Sequence, residues 1–91
     1  MAESLEKYVI TSHAAFEMER RGIDKFLLQR IMTLPEQQEI VRPGRIVLQS
    51  KINLQGKTHL VRVFVDIDKK PAEVVTVYRT SKISKYWRTQ S

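Results

Sequence analysis

Between residues 45 and 80 three β-prone runs follow one another with little chain between them: RIVLQSKIN (45–53), THLVRVFVD (58–66) and VVTVYRT (74–80). Leu54-Gln55-Gly56 joins the first two, and the loop IDKKPAE joins the last two. Joins this short pair neighbouring strands antiparallel, because a parallel pairing needs a crossover of roughly a dozen residues or more. Alternation shows which side is apolar. Ile46 and Leu48 share one parity, as do Val61, Val63 and Val65, while Arg62 falls on the other. A sheet with one apolar face has to be covered, and the cover must come from the residues before it.

Those residues carry helical punctuation. YVIT (8–11) is a short strand-like opening. In SHAAFEMERRG, Thr11 or Ser12 supplies an N-cap and Gly22 a stop. At 100° per residue Ala14, Ala15 and Met18 form one face, with His13, Glu17 and Arg20 opposite and Phe16 at the edge. Asp24 caps a second helix, DKFLLQRIMTLP, in which Phe26 or Leu27, Leu28, Ile31 and Leu34 recur at helical spacing before Pro35 ends it. PEQQEIVRPGR reads as a connection with a turn at Pro43-Gly44. The expected order is β-α-α-β-β-β. It describes an α+β fold in one domain, residues 1–91, with two N-terminal helices packed on an antiparallel sheet.

Charge narrows the partner. Residues 1–41 hold five basic and seven acidic side chains, whereas residues 42–91 hold eleven basic and three acidic. The stretch VYRTSKISKYWR (77–88) has four cations, two tyrosines and a tryptophan with no acid among them. Such asymmetry favours an anionic partner, nucleic acid or an acidic protein. No run approaches the ~20 apolar residues of a membrane span, and MAESLEKYVI lacks the basic and apolar regions of a signal peptide. A cytoplasmic protein without disulfides is expected, since the chain has no cysteine. His13 and His59 are its two histidines and make a poor metal site, so no metal or other cofactor is expected.

The series ITSHAAFEMERRGI, a second helix ending in LP, then PGR, then VVTVYRTSKISKYW resembles the bacterial family of unknown function number 4258. The resemblance covers about residues 10–87, with 83–91 as a basic, aromatic tail. That family is distantly like the RelE/ParE toxin superfamily, which includes messenger-RNA endonucleases and ParE-like members directed at gyrase. The resemblance implies a RelE-like fold with a basic surface. It also implies a metal-independent endoribonuclease, the toxin of a toxin–antitoxin pair, acting on single-stranded RNA free or on the ribosome. An acidic antitoxin would be its protein partner. A non-catalytic nucleic-acid-binding module or a protein-directed toxin is the alternative.

Cleavage by 2′-hydroxyl attack needs a base, cations around the phosphate and an acid for the departing 5′-oxygen. His13, at the family's His position in the first helical turn, is the expected acid/base group, with Glu17 one turn on to orient it. Tyr78, in the TVY motif, is the expected proton donor or stacking residue, although a strand tyrosine also serves packing. Arg45, Arg79, Lys82, Lys85 and Arg88 are the expected phosphate clamps, with Tyr86 and Trp87 interleaved as stacking surfaces. Trp87 equally suits docking the tail on the core, and Arg21 suits holding the last carbonyls of the first helix. His59 belongs to no motif and is read as structural.

Overall fold

A computed structural model describes residues 7–89. Residues 1–6, and the last two positions of the 83–91 tail, lie outside the described residues. The elements run β1 (Tyr8–Ile10), α1 (Ser12–Arg20), α2 (Lys25–Thr33), β2 (Gln37–Arg42), β3 (Arg45–Leu54), β4 (Lys57–Asp66), β5 (Ala72–Thr80) and α3 (Ile83–Tyr86). The strands form one mixed sheet in the order β1-β5-β4-β3-β2.

The fold is α+β, as the alternation required, with two corrections to the expected sheet. The stretch before Pro43-Gly44 is a strand, β2, paired antiparallel with β3 from Gln37↔Gln49 to Arg42↔Arg45. Its residues are mostly polar because only one of its edges is paired and little of it is buried. Second, β1 pairs with β5 in parallel, Tyr8↔Ala72 to Ile10↔Val74, so the sheet is mixed rather than antiparallel. The β3–β4 hairpin turns on Gln55 and Gly56, both at positive φ (55° and 80°), as a two-residue hairpin favours.

Thr11 is the N-cap of α1: its hydroxyl accepts from the Ala14 amide at 3.2 Å and donates to the Val74 carbonyl at 3.0 Å, tying the helix start to β5. The helix ends in a Schellman turn. Gly22 sits at φ 67°, the Ile23 amide reaches the Met18 carbonyl at 2.9 Å, and both of those side chains are buried. Asp24 caps α2 through the Leu27 amide at 2.8 Å.

The face of α1 differs from the expected one: Ala15 is exposed and Glu17 is buried beside Ala14 and Met18. Glu17 tolerates burial because its carboxylate takes Arg21 at 2.6 Å and Arg20 at 3.5 Å. On α2 the inward residues are Leu28, Ile31 and Met32, while Phe26 and Leu34 are exposed.

The core joins these helix faces to Ile46, Leu48, Val61, Val63, Val65, Val74 and Val77. All lie on one side of the sheet, which is the side the helices cover. The other side carries no helix from the N-terminal half, and the chain's own C-terminal segment crosses it.

Candidate functional site: the sheet face opposite the N-terminal helices

Register places residues on this face. Arg62 stands between Gln49 on β3 and Tyr78 on β5, and Phe64 stands between Val47 and Thr76. Each is one step out of phase with the core valines of its strand, so these side chains point away from the helices. Gln37 on β2 lies opposite Gln49, extending the row to the sheet edge.

Hydrogen bonds run along that row. The Arg62 guanidinium donates from Nε to Gln49 Oε1 at 2.9 Å and from NH1 to the Tyr78 hydroxyl at 2.7 Å. Gln49 donates through Nε2 to Gln37 Oε1 at 2.7 Å and to the Tyr86 carbonyl at 3.2 Å. Gln37 in turn holds the backbone of Arg88 on both sides, accepting from its amide at 3.0 Å and donating to its carbonyl at 2.7 Å. The C-terminal segment is thereby laid across the face from β5 to β2.

Aromatic rings enclose the guanidinium. Its carbon lies 4.4 Å from the Tyr86 ring centre, 5.4 Å from that of Phe64 and 5.8 Å from that of Tyr78. Phe64 and Tyr78 stack at 6.1 Å, and Tyr86 meets Tyr78 edge-on at 6.3 Å. Arg62 is half-buried, and no carboxylate pairs with it among the described residues. A desolvated cation ordinarily finds an anion. Here it finds amide, phenol and ring faces. Further along the face Lys51 lies 4.0 Å from the Trp87 ring centre, and Lys85 lies 5.4 Å from that of Tyr86. The Tyr86 phenol is held below its usual value, first by the Tyr78 side chain hydrogen-bonding to it, then by Lys85 and Arg62.

The expected site residues divide on this geometry. Tyr78, Tyr86 and Trp87 come together on the face opposite α1 and α2, with Lys85 beside them. Lys82 is exposed at the start of α3, its amide bonded to the Thr80 hydroxyl at 3.1 Å. Arg45 is not a free clamp: it forms a two-point pair with Asp66, at 2.6 and 3.1 Å. Arg88 pairs with Glu39. Arg79 stands opposite Val61 and so has the parity of the helix-covered side, away from Tyr78.

His13 is exposed on α1, which packs on that same covered side, so the sheet stands between the imidazole and Tyr78. Glu17 does not orient the ring, because both of its oxygens are taken by arginines. Arg21 is spent on Glu17 rather than on helix-end carbonyls. Two cations of the face, Arg62 and Lys51, were missed as candidates. Arg62 had a signal, since it breaks the apolar parity of VRVFVD; Lys51 had none.

No cluster of three or more His, Cys, Asp or Glu side chains suited to a metal occurs among the described residues, and no helix there is long and apolar enough to cross a membrane. Comparison with known protein families, curated proteins and solved structures finds no match to this chain.

Proposed function

We propose that the chain binds single-stranded RNA across the sheet face opposite α1 and α2. The observation that carries this reading is Arg62: a half-buried guanidinium, pinned by Gln49 and Tyr78, enclosed by rings and without a carboxylate among the described residues. A phosphodiester supplies the missing anion, and its bases supply planar partners for the exposed parts of Tyr86 and Trp87. Base–aromatic stacking contributes ~1–3 kcal/mol per base and is indifferent to sequence. The basic balance of residues 42–91 supports the same partner. Each phosphate contacted on a single strand contributes about −0.7 to the slope of log affinity against log salt. Fluorescence anisotropy of a labelled oligouridylate, titrated over a range of salt, tests the reading. Arg62→Gln is expected to lower affinity and flatten that slope. Binding unchanged by Arg62→Gln would remove the reading's basis.

A second reading adds cleavage, and the relay from Arg62 through Tyr78 to Tyr86 favours it. Tyr86 in its phenolate form, which the Tyr78 hydrogen bond, Lys85 and Arg62 favour, takes the proton of the 2′-hydroxyl and becomes the phenol. The 2′-oxygen bonds to the adjacent phosphorus, the bond to the 5′-oxygen breaks, and Tyr78 returns a proton to that oxygen. Products are a 2′,3′-cyclic phosphate and a 5′-hydroxyl end, with Arg62 beside the charge that builds on phosphorus. This is the RelE-like activity with its chemistry moved from His13 to the tyrosines. The acidic antitoxin is the partner such a toxin carries, covering the same cations. Tyr86→Phe should abolish cleavage while binding persists; an all-deoxy strand cut at the same rate excludes the mechanism.

A further inference from the structure

Gln49 makes three side-chain hydrogen bonds on this face and is only 2% exposed. Its amide has two jobs of opposite sense. The oxygen accepts from Arg62 at 2.9 Å, while the nitrogen donates to Gln37 at 2.7 Å and to the Tyr86 carbonyl at 3.2 Å. Gln37 Oε1 also accepts from the Arg88 amide, so it is fixed as an acceptor and the Gln49 amide cannot be reversed without loss. A glutamate in this position would offer Arg62 a carboxylate and cancel its charge. An apolar residue would leave the guanidinium without its Nε partner. Only a neutral acceptor orients the cation and leaves the charge for a ligand.

Resting on the RNA-binding reading above, we infer that Gln49 is the positioning residue of this site: it aims the Arg62 guanidinium and anchors the Tyr86 backbone while keeping that charge uncompensated, which selects a phosphodiester anion as the ligand. The same physics explains why the Arg45–Asp66 pair on this face does not compete. Its cation already has a carboxylate, as does Arg88, and the anion is directed to the centre of the sheet. Arg62 acts on the ligand. Gln49 acts through Arg62.

The test uses the full chain and a fluorescein-labelled oligouridylate of about ten nucleotides, within the span such faces cover. Affinity is read across a salt series, and folding of each variant is checked by thermal melting. Gln49→Glu is expected to behave as Arg62→Gln does. Affinity should fall about tenfold or more, as for loss of a charge-assisted contact, and the salt slope should shrink by about 0.7. Gln49→Met keeps the cation but not its aim, so affinity should fall severalfold with the slope retained. A purely structural role for Gln49 would not separate these two slopes.

If Gln49→Glu keeps the wild-type slope while Arg62→Gln loses it, the positioning role is overturned and the RNA reading stands. If Arg62→Gln binds as wild type, the RNA reading falls and this inference falls with it. Should Gln49→Glu fail to fold, Gln49→Met decides: wild-type affinity overturns the inference, and a severalfold loss at retained slope supports it.

Discussion

Val61, Val63 and Val65 look into the helices, whereas Leu60, Arg62 and Phe64, one residue out of step on the same strand, look away from them. The covered side is closed by side chains of α1, α2 and Ile23 between them, and apart from Glu17 and Ser50 its buried residues are apolar. The free side also buries residues, Val47 and Leu60 among them, but its centre is a chain of directional bonds through Gln37, Gln49, Arg62 and Tyr78. Every buried side-chain nitrogen and oxygen among the described residues has a partner, so this polar row is satisfied rather than frustrated. The difference separates two tasks. Non-directional burial holds the fold, and oriented bonds hold one cation in one attitude. Substitutions on the two sides should therefore fail in different assays.

The largest effect is expected on the covered side. Leu48→Ala removes a fully buried side chain and should cost roughly 2–5 kcal/mol in urea unfolding. RNA affinity of the fraction that remains folded should be unchanged. Next comes Arg62→Gln on the free side, which should lower affinity about tenfold or more; an unaltered affinity would erase the contrast between the faces. A smaller effect belongs to the rim. The Asp66 carboxyl is held below its ordinary value of 3.8, chiefly by its hydrogen bonds from Arg45. Because the folded-state value is the lower one, the pair's contribution is complete above the unfolded value and drains away as pH falls through the folded one. Asp66→Asn should flatten that acid limb of the stability curve, by at most about 1 kcal/mol. The smallest effect is His13→Ala, for which neither RNA affinity nor cleavage should change by as much as twofold. A clear loss there would return the chemistry to the covered side.

The parts legible in the sequence are those with a local cause. Thr11, Asp24 and Gly22 cap or stop their helices through bonds to near neighbours. The β3–β4–β5 meander follows from alternation and short joins. β2 escaped because Gln37, Gln38 and Glu39 have no alternation to read; β3 makes them a strand by pairing with them. The parallel contact of β1 with β5 joins residues more than sixty positions apart and leaves no turn signature. The same divide runs through the site. Tyr78, Tyr86 and Trp87 were visible as residue types, but whether a cation is free is decided at a distance. Arg45 meets Asp66 twenty-one residues on, Arg88 meets Glu39 on β2, and Arg62 meets no acid among the described residues because its neighbours in register are Gln49 and Tyr78. Periodicity set Glu17 on the outward face with His13, whereas the structure buries it beside Ala14 and Met18. Nor could periodicity show that two arginines would take Glu17, or that the sheet would lie between His13 and Tyr78.

The central claim is that an anionic strand meets the face bearing Arg62, and NMR titration addresses it directly. With ¹⁵N-labelled chain and unlabelled oligouridylate, the Arg62 Nε–H signal and the backbone amides of Lys51, Tyr78 and Tyr86 should move together and saturate at one stoichiometry. Those of His13 and Phe26 should stay in place. Shifts concentrated on α1 and α2, with the Arg62 signal still, would contradict the account.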